Sequence, residues 1–139
     1  MDAKLEEIKE VVRRFNKEFI EGGNLQSFED LMHEAFINRT AAPGMDEGPQ
    51  GILYAFNSIL RPAFPDLRVR IDVQIAEGDL VTTRKSFHGT HLGMLMGIPP
   101  TGEKVTINVI DIVRVRDGKY FEHWGVNTLP SVMAELAKI

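Results

Sequence analysis

Asp111 has the setting in this chain that most invites chemistry. It stands in the run Lys104 to Val115, where Ile107, Val109, Val113 and Val115 share its parity and therefore its face if the run is a strand. A carboxylate on an apolar face is expensive to bury, so it either finds partners or takes up a proton at a raised pKa. The second condition is the one a general acid or base needs near neutral pH, and the sequence leads to the expectation that burial raises the Asp111 pKa. The alternative is a structural carboxylate paired with Arg84 or Arg114 at a sheet edge. The second candidate is His123, in the run Tyr120 to Val126, on the same parity as Phe121 and Gly125. A neutral imidazole there would orient Asp111 or donate to a carbonyl oxygen, and a half-buried histidine bonded to backbone is the alternative. Trp124 and Glu122 take the opposite face, where Trp124 would pack under the first helix or in a subunit contact.

The elements that must position these groups follow from periodicity. Leu5, Ile8, Val11, Phe15 and Phe19 form a helical stripe that ends at Gly22-Gly23. A short second helix is predicted from Ser27, with its hydroxyl as cap and His33 on its surface, followed by an extended segment from Ala35 to Thr40. Ala41 to Gly48 reads as a loop. Ile52, Leu53, Phe56, Ile59 and Leu60 mark a third helix, closed by Pro62 and Pro65. From Leu67 the pattern alternates, with Val69, Ile71, Val73 and Ile75 predicted on one buried face. Leu80 to His88 continues as the partner strand with two mixed faces, one carrying Arg84 and His88 and the other Lys85, which suggests a wet pocket. Asp117-Gly118 supplies a tight hairpin turn between the last two strands. A helix beginning near Pro130 closes the chain. The fold class is therefore α+β: a curved, mostly antiparallel sheet wrapped around helices as a cone with an internal cavity, in one domain over residues 1–139.

Composition limits the function classes. The 16 Lys+Arg against 20 Asp+Glu give a net charge of −4, which offers no basic field for nucleic acid or an anionic membrane. The absence of cysteine removes thiol catalysis, thiolate metal ligands and disulfides. The four histidines fall at no helical ligand spacing such as HExxH, so no metal site is expected. The amino terminus lacks the apolar core of a signal peptide and no run approaches the roughly 20 apolar residues of a membrane span, so a cytoplasmic protein is expected.

Several spaced motifs carry a resemblance over about Phe15 to Leu136. Ala63-Phe-Pro-Asp-Leu-Arg68, Ala76-Glu-Gly-Asp79, Gly89-Thr-His-X-Gly93, Gly97-Ile-Pro-Pro-Thr-Gly102, Asp111-Ile-Val-Arg114 and Asp117-Gly-Lys-Tyr-Phe-Glu-His-Trp124 resemble the SnoaL-like polyketide cyclases, or ester cyclases, of the nuclear transport factor two-like superfamily. The resemblance implies an intramolecular aldol cyclisation of a small carbonyl or polyketide ester substrate, with general acid/base catalysis at Asp111 and no cofactor. Isomerisation or dehydration on the same cone, and a binding module without chemistry, remain the rival functions. An enclosed Asp111 without a permanent cation would favour catalysis, and a surface pair with Arg would favour the others.

Further ligand contacts are expected from Arg84, His88, His91 and Phe121. Met94 and Met96 would form an apolar lid or entrance suited to an irregular ligand. Asn38 and Arg39 stand where relatives often carry an Asp-His pair, so Arg39 would pair with an anionic group such as a carboxylate. Thr106, Asn108, Ile110, Ile112 and Arg114 form a mixed second face, from which a homo-oligomer is expected.

Overall fold

The computed structural model describes residues 2–139. Helix α1 (Ala3–Arg14) starts at Asp2, whose carboxylate accepts from the Lys4 amide, and continues without a break as a π-helical segment, Phe15–Glu21. Ile8, Val12, Phe15 and Phe19 are buried, so Val12 takes the inward place that periodicity assigned to its neighbour Val11. Helix α2 (Leu25–Leu31) is capped by the Asn24 side chain, which accepts from the Ser27 amide. Ser27 is thus inside the first turn rather than at the cap, and its hydroxyl donates to Glu18. Strand β1 (Met32–Asn38) begins earlier than expected, so His33 lies on a strand, edge-on to Phe121 at 4.9 Å. Helix α3 (Pro49–Tyr54) runs on through a second π-helical segment, Ala55–Leu60, into a short α4 (Arg61–Ala63). Pro62 falls inside that last turn. α5 (Leu129–Leu136) ends the chain.

Strands β2 (Arg68–Glu77), β3 (Leu80–Thr90), β4 (Lys104–Arg116) and β5 (Lys119–Asn127) form antiparallel neighbours, and β1 adds to β5 in parallel. The spatial order is β1-β5-β4-β3-β2. The β4–β5 hairpin turns at Asp117 (φ 55°) and Gly118 (φ 73°), two successive positive φ angles that Asp and Gly tolerate. The inner face of the sheet meets α1 and α3 over a core in which Phe15 stacks on Tyr120 at 4.1 Å and Phe19 packs against Phe28 at 4.7 Å. Burying a side chain of that size contributes roughly 1.5–3 kcal/mol. No helix among the described residues is long and apolar enough to cross a membrane.

Two bulges correct the parity reading. In β2 the register shifts between Ile71 and Val73, which turns Val73 and Ile75 outward, 40% and 63% exposed, and brings Gln74 and Ala76 inward. An extra residue in one strand inverts every side chain beyond it, and alternation alone does not show where it sits. In β5 the shift between Arg114 and Val115 pairs Val115 with Tyr120 and Arg114 with Glu122. Phe121 is the residue left over. Tyr120 therefore shares the inner face with His123 and Gly125, and Phe121 packs outside it against Arg116, whose guanidinium lies 4.1 Å from the ring centroid, and against His33. Trp124 pairs across from Ile112 on the outer face, away from α1.

Candidate active site

Alternation along β4 buries Ile107, Val109, Asp111, Val113 and Val115, and Asp111 is 4% exposed. It lines a cavity of about 340 Å³ between the inner sheet face, the first helix and α3 with its π-helical extension. Phe15, Phe36, Ile52, Phe56, Ile59 and Ile107 supply much of the apolar wall, with Met96 and the loop residues Ala41, Ala42 and Met45 also contributing.

The cation beside Asp111 is Lys85, not Arg84 or Arg114. The carboxylate is thus enclosed, as catalysis asks, but not free of a permanent cation, and neither arm of the expectation is met as stated. Lys85 lies two residues along β3 from Thr83, the register partner of Asp111, and is itself 3% exposed. Its Nζ stands 3.1 Å from Asp111 Oδ2 and donates to Asn16 Oδ1 at 2.8 Å. Asn16 is the second residue of the first π-helical segment and is fixed by donation from its Nδ2 to the Val12 carbonyl at 2.9 Å. π-Helical turns often occur where a helix must aim a functional side chain, and here the irregular turn carries the residue that holds the ammonium.

His123 closes the other side. Nε2 is 3.3 Å from Asp111 Oδ2, and Nδ1 is 2.9 Å from Asn38 Oδ1 at the end of β1. Asn38 Oδ1 can only accept, and it also accepts from the Thr40 amide at 3.2 Å, so His123 Nδ1 is the donor in that contact. Gly125, opposite Asp111 in register, makes room for this ring: a Cβ there would lie 2.9 Å from His123 Cε1 and 3.3 Å from Asp111 Cβ. Gly125→Ala is therefore expected to leave the fold intact and to displace the His123 ring from Asp111. Unchanged His123 ring resonances in the NMR spectrum of that variant would show that the added methyl is accommodated without moving the ring.

Burial, the largest influence on Asp111, pushes its pKa up. The nearby Lys85 ammonium and the contact with His123 oppose it, and the net position lies below the ordinary carboxylate value. The expected upward shift is thus corrected: the sequence offers Arg84 or Arg114 as partners only for an edge carboxylate, and Lys85 supplies the cation to a buried one. Both contacts fall on Oδ2. Asp111 Oδ1 is buried with no hydrogen-bond partner, as is the Tyr120 hydroxyl, whose pKa burial and the Asp111 charge push well up, leaving it a donor.

Asp111, His123, Asn38 and Met96 meet at the cavity, whereas the other expected ligand residues do not line it. Arg84 belongs to the outer face of β3, opposite Ile110. His88 shares that face and bonds Ser86 Oγ at 2.8 Å and Thr106 Oγ1 at 3.3 Å. His91 is fully buried under the loop that follows β3, with Nδ1 3.0 Å from Thr101 Oγ1, and serves that loop's packing. Arg39 donates to Glu122 at 2.7 Å in a chain that continues through Arg114 to Asp79, so its guanidinium is already committed to a protein carboxylate. Met94 projects outward, 58% exposed, and Phe121 is turned away by the bulge. Lys85, Asn16, Tyr120 and Gly125 were missed as site residues. Lys85 on the same parity as Val81 and Phe87 was the available signal for the first.

The model of the SnoaL-like polyketide cyclase family matches residues 10–136. Among curated relatives, the chain is 25% identical over 126 residues to the aklanonic acid methyl ester cyclase of Streptomyces peucetius, covering 88% of this chain and 83% of that one. It is 26% identical over 103 residues to the nogalonic acid methyl ester cyclase of Streptomyces nogalater, covering 73% and 76%. The solved structure of IdmH from Streptomyces antibioticus superposes with a TM-score of 0.81 at 26% identity, over 95% of this chain and 99% of that one.

Proposed function

Because this chain belongs to the SnoaL-like polyketide cyclase family, we propose that it catalyses an intramolecular aldol cyclisation of a small ester-bearing polyketide or related 1,3-dicarbonyl compound, with Asp111 as acid and base. The observation that carries this reading is Asp111, a residue 4% exposed at the wall of an apolar cavity, with its Oδ1 unpartnered. Among the described residues no donor occupies Oδ1, so it is the carboxylate oxygen left available to a ligand. In the reaction Oδ1 removes the proton between two carbonyls, the enolate carbon attacks a ketone in the same molecule, and the new alkoxide takes the proton back from Asp111. Atoms balance without an oxidant or co-reactant. The cavity's share is to fold the substrate so that the two carbons meet, the effect that makes an intramolecular step fast.

Activity on a panel of methyl esters of linear aromatic β-ketoacids, followed by mass-neutral conversion to a cyclised product, tests the proposal. Conversion of a substrate to an isomer without a new carbon–carbon bond would favour the isomerase reading. Binding without conversion of any panel member would favour a non-catalytic module.

The chain is also proposed to self-associate through the outer sheet face. Ile110 and Ile112 are 48% and 36% exposed there, and the β2 bulge adds Ile75 at 63%. Light scattering is expected to give at least twice the 15.6 kDa chain mass, and Ile110→Glu to reduce it. The parent chain running at 15.6 kDa would remove the proposal.

A further inference from the structure

The buried ion pair has more hydrogen-bonding capacity than the protein uses. Lys85 carries three N–H donors, and the protein supplies two acceptors, Asn16 Oδ1 at 2.8 Å and Asp111 Oδ2 at 3.1 Å, while the Phe87 ring centroid lies 5.4 Å from the ammonium. Asp111 in turn keeps Oδ1 free. Both residues line the same cavity, so one spare donor on a fixed cation sits beside one spare acceptor on a fixed anion. As a device for stability this is a poor choice: a buried pair is commonly no better than apolar residues of the same size. As a device for enolisation it fits the reacting unit. The α-carbon and the oxygen of a ketone are about 2.4 Å apart, so one carbonyl unit can present its C–H to the carboxylate while its oxygen meets the ammonium.

We infer that Lys85 is the electrophilic catalytic residue of this site, binding the carbonyl oxygen of a 1,3-dicarbonyl ligand through its spare N–H and holding the negative charge that develops there when Asp111 takes the α-proton. The inference rests on the acid/base reading of Asp111 given above. The bonding changes balance: the C–H pair becomes the enolate C=C bond, the carbonyl π pair moves to oxygen, and the ammonium keeps its protons throughout. A cation 3.1 Å away also weakens Asp111 as a base, so proton removal at neutral pH depends on stabilisation at the oxygen end. Among the described residues, the Tyr120 hydroxyl is a buried competing donor without a partner, and the side-chain amides of Asn38 and Asn127 also line the cavity.

The test uses 4-nitrophenolate as a stable mimic of a planar enolate, in Asp111→Asn protein, whose amide imitates the carboxyl after it has taken the proton. The ionised probe is expected to bind Asp111→Asn about 10²-fold more tightly than the double variant Asp111→Asn/Lys85→Met, with Asp111→Asn/Tyr120→Phe close to the single variant. Absorbance of the bound ion reads this without turnover. Thermal melting reports whether each of the three proteins is folded; Asp111→Asn and Asp111→Asn/Tyr120→Phe keep the Lys85 ammonium with neutral acceptors, and Asp111→Asn/Lys85→Met removes both charges of the pair. Affinities within threefold for Asp111→Asn and Asp111→Asn/Lys85→Met, or loss of binding in the Tyr120→Phe background instead, would overturn the role given to Lys85. Failure of the acid/base reading shows separately, as unimpaired turnover by Asp111→Asn.

Discussion

Asp111→Asn is expected to lower kcat on a verified cyclisation substrate by about 10²-fold or more while KM changes little. Asn keeps the shape and can still accept at its carbonyl oxygen; what is lost is the proton acceptor together with the charge that faces the Lys85 ammonium. The pH dependence carries the same assignment. A base whose folded-state pKa lies below the ordinary carboxylate value is ionised throughout the neutral range, and activity falls only as pH drops through that lowered pKa. The acid limb of kcat/KM is therefore expected below about pH 4, where an unperturbed aspartate titrates. In Lys85→Met the lowering influence of the ammonium is gone and burial still pushes upward, so the limb moves to higher pH. Parent-rate turnover by Asp111→Asn would sink the assignment. An acid limb unmoved by Lys85→Met would mean that the titrating group is not Asp111.

The second large effect is on stability. Lys85→Met alone leaves the Asp111 carboxylate 4% exposed with its nearest cation removed, and is expected to cost about 3–5 kcal/mol at pH 7. Adding Asp111→Asn should restore most of that loss, because no buried charge is then unpaired. Urea unfolding of the two single variants and the double variant measures the coupling. The sign with pH follows from the lowered Asp111 pKa. The pair's contribution is complete above the unfolded-state pKa, about 3.9, and is lost as pH falls through the folded-state value. The penalty in Lys85→Met consequently shrinks on acidification. A double variant as unstable as the sum of the singles would show that the two side chains do not act as a pair.

The sequence made the architecture legible because its strands obey period two over long stretches and its helices carry clean stripes. The inward direction of Asp111 is an example: β4 has no irregularity near it, so parity alone gave the correct face. Phe121 and Val73 went astray because each lies at a bulge, and the inserted residue carries no compositional mark. The neighbours of Asp111 were harder for a different reason. Lys85 reaches it by the lateral register of β3 against β4, and Asn16 reaches Lys85 from a helix almost seventy residues earlier, |i−j| of 69. Neither relation is local, so the choice between Arg84 and Lys85 turned on strand facing that mixed composition left open. The motifs carried family and fold, and left the charge balance of the pocket to the coordinates.

The parallel addition of β1 to β5 has a consequence for the order in which the molecule assembles. Every other strand pair in the sheet joins chain neighbours across a turn or a loop, whereas the Asn38–His123 contact closes a separation of 85 residues. Closing so long a loop is unfavourable until the contacts it brings can offset it, and contacts of this kind form late. The β2–β5 meander can therefore zip first, with Asp111 and Lys85 already side by side, and the arrival of β1 is the step that positions His123. Run in reverse, the same asymmetry makes β1 the edge that opens first under native conditions. Amide hydrogens of Arg39 and Gly125, which bond the His123 carbonyl and the Thr40 hydroxyl across that seam, then exchange with solvent faster than those of the β3–β4 ladder.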